Sequence, residues 1–176
     1  MAKDEKLEKR GLFLGRFQPF HLGHLEVIKQ ALKMVDELVI VIGSAQYSHT
    51  FENPFTDSER EEMIENSLKA LNLTHYMVVP VEDIDDDSKY VKHVEKYVPA
   101  IHLVFAATNK LTEKLFSARG YKIWTCDRYK GIESKKIREM MLEDNPAWRT
   151  MVPKQVMEAI EEIDGIGRIK NVHQLL

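Results

Sequence analysis

Short apolar runs alternate along the chain with longer segments whose apolar residues recur every three or four positions. Runs of the first kind are Gly11-Leu-Phe-Leu-Gly15, Leu38–Ile42, Tyr76–Val79, Ile101–Phe105 and Tyr121–Cys126. Bounded by glycine, proline or polar residues, they predict five buried strands. Between the first two, Leu25, Ile28, Leu32 and Val35 give helical spacing over 24–35. Met63, Ile64, Leu68 and Leu71 do the same over 57–71, and that helix opens on Thr56 with Glu59 three positions on, the pattern of a capping box. Further helices are expected over 89–97, stopped by Pro99; over 110–119, ended by Gly120; and over 134–143 and 154–163, the latter read as the last helix. Gly165-Ile-Gly167 reads as a turn.

Strands that alternate with helices imply an α/β fold, a parallel sheet covered by helices on both faces. The expected organisation is a charged tail over residues 1–10 and one domain over 11–176, with a C-terminal helical extension from about residue 133. Sheets of this kind bind ligands outside the carboxyl ends of their strands, where the strand order reverses. The exits of strands one to four are therefore the informative positions.

Composition removes several classes. Hydrophobic residues are 44% of the 176 and charged residues 30%, too apolar for a disordered chain. The net charge of −3 argues against a broad nucleic-acid surface. The run Leu38–Ile42 is far short of the ~20 residues of a membrane helix, and Met1–Lys6 has no apolar stretch of signal-peptide type. The one cysteine, Cys126, has no internal partner, so a reducing, cytoplasmic setting is expected. No nucleic acid and no membrane are expected as partners.

Gly15-Arg-Phe-Gln-Pro-Phe-His-Leu-Gly-His24 sits where strand one becomes helix one. A helix amino end offers unpaired N–H groups and partial positive charge, and glycines let a phosphate approach the backbone. His21 and His24, three apart, would both line that mouth and donate to phosphate oxygens. No Gly-x-x-x-x-Gly-Lys-Ser/Thr loop and no Gly-x-Gly-x-x-Gly fingerprint is present.

His-x-Gly-His after a first strand resembles the nucleotidyltransferase superfamily, which has a Rossmann-like fold. The longer stretches 15–24 and Gly43-Ser-Ala-Gln…Asn53-Pro-Phe-Thr…Glu59-Arg60 are similar to the nicotinamide-nucleotide adenylyltransferases of the archaeal type. The resemblance implies adenylyl transfer from ATP to nicotinamide mononucleotide, giving NAD and pyrophosphate. The acceptor is a phosphate monoester with a second pKa of about 6, already anionic at pH 7, so positioning and charge neutralisation are needed rather than a base. Mg²⁺ would be held by phosphates and water, not by a protein cage.

By the same resemblance His21, His24, Arg16 and Arg138 carry the reaction, and Gly15, Phe17, Gly23, Arg60, Asn109, Ser134 and Lys135 hold ATP. Ser44, Gln46, Asn53, Phe55, Asp83, Asp87 and Tyr90 would form the acceptor pocket. Tyr90 stands where relatives tend to have Trp and keeps a stacking face for a pyridine ring. Asp87 stands where Asn is common, and an acid favours a carboxamide donor over a carboxylate. In the last motif Glu133 and Lys135 replace two hydroxyl residues; either Lys135 as a point charge or Ser134 would substitute. Family members assemble as homo-oligomers, often hexamers.

Weighed beside this are transfer to another phosphate acceptor, a nucleotide-binding sensor without turnover, and a metallohydrolase using His21, His24 and His49. His75, His93, His102 and His173 read as structural or surface residues, Asp85-Asp86-Asp87 as a loop and helix start, Cys126 as a passenger in its strand, and Trp124 and Trp148 as core or interface.

Overall fold

The computed structural model describes residues 9–175; of the tail expected over 1–10, residues 1–8 lie outside the described residues, while Lys9 O accepts from Asp36 N and Arg10 is not tail but the start of the first strand, where it pairs with Glu37. Five strands, β1 (Arg10–Gly15), β2 (Glu37–Ile42), β3 (Tyr76–Pro80), β4 (Leu103–Ala107) and β5 (Lys122–Thr125), form one sheet in the order β3-β2-β1-β4-β5. Every pairing is parallel. The helices are α1 (Leu22–Ala31), α2 (Asp57–Ala70), α3 (Asp87–Val94), α4 (Lys110–Ala118), α5 (Ser134–Leu142), α6 (Lys154–Glu162) and α7 (Gly165–Gln174). A 3₁₀ turn, Pro146–Met151, joins α5 to α6.

The strands are apolar on both faces because both are covered. Side chains alternate between the faces. Phe13, Ile40, Ile42 and Phe105 enter the larger core with residues of α1, α2, α5, α6 and α7. Leu12, Val39, Val41 and Val104 enter the smaller one with Val91 and Val94 of α3 and Phe116 of α4. Burying each such side chain is worth roughly 1.5–3 kcal/mol.

The order runs outward from β1 to β2 and β3, then returns to β4 on the other side of β1. The reversal thus lies between β1 and β4, and their carboxyl ends, Gly15 and Ala107, open onto the same crevice.

Three expectations need correction. Gly165-Ile-Gly167 is not a turn but the start of α7, capped by Asp164, whose carboxylate accepts from Gly167 N at 3.3 Å. Gly165 is there for contact: a Cβ would stand 2.9 Å from the Phe55 ring. The helix at 154–163 is therefore not the last. Leu71, expected inward, is 45% exposed because α2 has ended and Leu71 is its cap. The capping box at Thr56 and Glu59 is present, with both reciprocal hydrogen bonds.

Candidate active site

A cavity of about 580 Å³ opens at the reversal. Its floor is the β1–α1 loop, its walls the exits of β4 and β5, and its rim the amino end of α5. Gly15, Arg16, Phe17, His21, Gly23, His24, Asn109, Ser134, Lys135 and Arg138, all singled out from the sequence, line this one cavity.

The two histidines lock each other. His21 is the N-cap of α1, and its Nδ1 accepts from His24 N at 3.3 Å. His24 Nδ1 accepts from His21 N at 3.2 Å. A capping box made of two imidazoles results, with the rings stacked at 3.6 Å between centroids. Gly23 permits the stack, since a Cβ there would meet the His21 ring at 2.9 Å. Phe17 and Phe20 pack against His24 at 4.8 and 5.7 Å.

Burial, and then the nearby Arg128 guanidinium, push the His21 pKa down to about 4. Burial, and then His21, hold His24 well below the usual histidine range. Both rings are neutral at pH 7. With each Nδ1 spent as an acceptor, the proton sits on Nε2, so each ring retains one donor.

Arg60 is the main departure from expectation. It does not reach the cavity. It is 0% exposed, and its guanidinium donates to the carbonyls of Arg16 (2.8 Å), Gly43 (2.9 Å), Ser44 (3.2 Å) and Thr56 (3.1 Å). Burial lowers its pKa to about 10, so it stays charged. It staples the exits of β1 and β2 to the start of α2 rather than clamping phosphate.

Gln18 adds a second stitch. Its amide donates to Phe55 O at 2.8 Å and accepts from Phe55 N at 2.9 Å. From the other side Arg138 Nη1 donates to Gln18 O at 2.8 Å, and Ser134 Oγ to Pro19 O at 3.0 Å. Asn109 caps α4, accepting from Thr112 N at 3.0 Å.

Of the expected acceptor residues, Ser44, Gln46, Asp83 and Tyr90 gather beside the exits of β2 and β3, apart from that cavity's lining. The Asp83 carboxylate accepts from Ser44 N at 3.1 Å and Ser44 Oγ at 2.6 Å. Gln46 and the Asp83 backbone bond reciprocally at 3.0 Å each way. Tyr90 lies under the β2 exit, 3.7 Å from where a Gly43 Cβ would stand, and burial, followed by Asp83, pushes its pKa up to about 12. Asp87 is exposed in the first turn of α3. Phe55 is corrected: it is 0% exposed in the core against Gly165, and no ring face is left for a ligand.

Two buried side-chain atoms among the described residues lack a hydrogen-bond partner, Asn53 Oδ1 and Arg138 Nε. Both belong to residues singled out from the sequence. Buried polar groups are nearly always paired, so each of these atoms calls for a partner that the described side chains do not supply.

The sequence reading missed Arg128 and Tyr129, which line the cavity after β5. The rule that sites follow strand exits would have found them had it been applied to the fifth strand as well. Cys126 also lines the cavity wall, and its thiol pKa is raised by burial. His49 is exposed and bonds to Ser48 Oγ, away from the histidine pair. Among the described residues no group of three or more His, Cys, Asp or Glu is placed to hold a metal ion. No described helix is long and apolar enough to cross a membrane.

A parallel sheet with two imidazoles, Arg16 and Arg138 at its reversal suits a nucleotidyltransferase, and residues 12–140 match the family model described as cytidylyltransferase-like. The chain is 43% identical over 171 residues to the nicotinamide-nucleotide adenylyltransferase of Thermoplasma acidophilum, covering 96% of this chain and 94% of that protein. It is 42% identical over 166 residues to the enzyme of the same name from Pyrococcus horikoshii, covering 93% and 88%. This chain belongs to the nicotinamide-nucleotide adenylyltransferase family. Its fold is also that of a bifunctional NMN adenylyltransferase/ADP ribose pyrophosphatase from Francisella tularensis, solved with AMP and a manganese ion. The TM-score is 0.75 at 20% identity, over 96% of this chain and 54% of that longer one.

Proposed function

We infer that the cleft transfers the adenylyl group of ATP to the phosphate of nicotinamide mononucleotide, leaving NAD and pyrophosphate. The observation that carries this is the locked pair of neutral imidazoles at the amino end of α1, at the sheet's reversal. An acceptor phosphate oxygen attacks the α-phosphorus of ATP. As that P–O bond forms, the bond to the bridging oxygen of the β-phosphate breaks, and the electron pair leaves with pyrophosphate. No protein base is required, because the attacking oxygen is already anionic.

The chain's part is to place charges where negative oxygens converge. The Nε2–H groups of His21 and His24 donate without bringing a proton that could be lost. Arg16 is exposed in the cavity, and Arg138 offers its unpaired Nε. The first amides of α1 add their partial positive charge, with Gly15, Phe17 and Gly23 shaping the approach. Asn109, Ser134 and Lys135 stand at the nucleotide's other flank. On the acceptor side Ser44, Gln46 and Asp83 form a fixed hydrogen-bonded rim. Asn53 Oδ1 offers a free acceptor, Asp87 an acid for the carboxamide, and Tyr90 a ring face.

The cleft's donors are mostly cationic or neutral, so Mg²⁺ fits on the phosphates rather than on side chains. There it would neutralise charge on the triphosphate. A cytoplasmic setting and assembly into several copies complete the reading, the first supported by a free thiol beside the nucleotide site.

The test is direct. The protein is incubated with ATP, Mg²⁺ and, separately, nicotinamide mononucleotide, nicotinate mononucleotide, pantetheine phosphate or flavin mononucleotide, and products are identified by mass. NAD should form with the first acceptor, and the pantetheine and flavin acceptors should give no product. An adduct with either of those in place of NAD would refute the assignment.

A further inference from the structure

Three guanidinium groups reach the cavity, and they are differently engaged. Arg16 is exposed, and its guanidinium makes no hydrogen bond or ion pair among the described residues. Arg138 is tied through Nη1 to Gln18 O and lies 5.5 Å over the Phe51 ring. Arg128 is held by a carboxylate: its Nη1 is ion-paired with Glu133 Oε1, with both residues in the cavity lining.

Glu133 is also the N-cap residue of α5, yet its side chain makes no capping bond. The caps of α1, α2, α3, α4 and α7 all do. Its carboxylate is turned to Arg128 instead, so the first amides of α5 have no side-chain cap. Arg128 in turn is close enough to His21 to depress that ring's proton affinity. One carboxylate therefore occupies a cation that stands beside the phosphate-binding histidines.

We propose that Arg128 is a further catalytic residue that grips the triphosphate beside His21, and that Glu133 is a positioning residue which holds Arg128 in place and yields it to incoming phosphate. This rests on the reading of the cleft as an ATP site. A triphosphate offers several charged oxygens against one carboxylate, and charge-assisted bonds from arginine to phosphate are among the strongest available. Displaced, Glu133 is free to cap α5. When pyrophosphate forms, Glu133 competes again for Arg128 and favours release. The carboxylate therefore works against ATP affinity and for turnover.

The experiment is a double-mutant cycle on Glu133→Gln and Arg128→Ala, with two readouts. Calorimetry with inorganic tripolyphosphate reads the latch without turnover; steady-state NAD formation reads KM for ATP and kcat separately. Glu133→Gln should tighten tripolyphosphate and lower KM for ATP by roughly three- to tenfold, with kcat lowered. Arg128→Ala should weaken tripolyphosphate by about tenfold or more, and Glu133→Gln should have no further effect in that background. Arg128→Lys should restore part of the loss, which a purely structural role would not allow. Looser tripolyphosphate binding in Glu133→Gln, with a raised Mg²⁺ requirement, would make the carboxylate a metal contact and overturn the proposal. So would additive effects of the two changes, or unaltered affinity in Arg128→Ala. Failure of the unmodified protein to make NAD counts instead against the reading of the cleft and is scored separately.

Discussion

Two imidazoles that cap each other are an expensive arrangement in acid. Both have folded-state pKa values below the ordinary 6.5, so the unfolded chain takes up protons that the folded one refuses. Stability contributed by the pair is present above pH 6.5 and lost as pH falls. For His21 the loss levels off near pH 4 and is on the order of 3 kcal/mol. Urea midpoints should fall between pH 7 and pH 4.5, and a His21→Asn variant, which can still cap, should fall less. His24→Ala should lower kcat by about 10²-fold or more, the loss typical of one preorganised donor. Tyr90→Ala should raise KM for nicotinamide mononucleotide more than KM for ATP, read from initial rates with each substrate varied. At this scale the sequence was legible where chemistry sets the spacing, as for His21 and His24, and illegible where burial decides, as for Phe55. Nothing in Asn-Pro-Phe-Thr says that the aromatic ring turns into the core.

Helices carry the second lesson. Arg60 belongs to the buried face of α2 together with Met63, Ile64, Ser67 and Leu68. Its position relative to the apolar residues was readable as inward, but the neighbouring motif suggested a ligand. Arg60→Met should leave buried carbonyls of Arg16, Gly43 and Ser44 unpaired and cost about 3 kcal/mol or more. Denaturant unfolding measures that. α7 was hidden because its two glycines look like punctuation, although Asp164 caps it and Ile166 and Ile169 continue an apolar stripe. Through Arg168 that helix grips the entry to α2: Nη1 and Nη2 bond the two Glu59 oxygens at 2.7 and 2.9 Å, and Nη1 also donates to Pro54 O. The Arg168 guanidinium helps hold the Glu59 carboxyl below its usual range, against the opposing effect of burial. Removing it should loosen the segment from Pro54 to Glu59, seen as faster amide exchange there.

For the molecule as a whole, the alternation of strands and helices was enough to foresee a parallel sheet and a site at a strand exit. The order β3-β2-β1-β4-β5 was not, because strand order depends on which helix crosses which face, and no single segment encodes that. Trp148, 1% exposed, anchors the C-terminal helices to the larger core, far along the chain from the cleft loops. Trp148→Ala should cost about 3–5 kcal/mol in denaturant unfolding while leaving kcat at low temperature nearly intact. The reciprocal pairing of Gln18 with the Phe55 backbone, together with the Arg60 staple, has a consequence for heat. The loop after β1 and the loop between β2 and α2 share one set of fastenings, so neither can come undone alone. Warmed slowly, the enzyme should keep full activity until the entire fold gives way, and the loss of turnover and the calorimetric melt should trace a single curve.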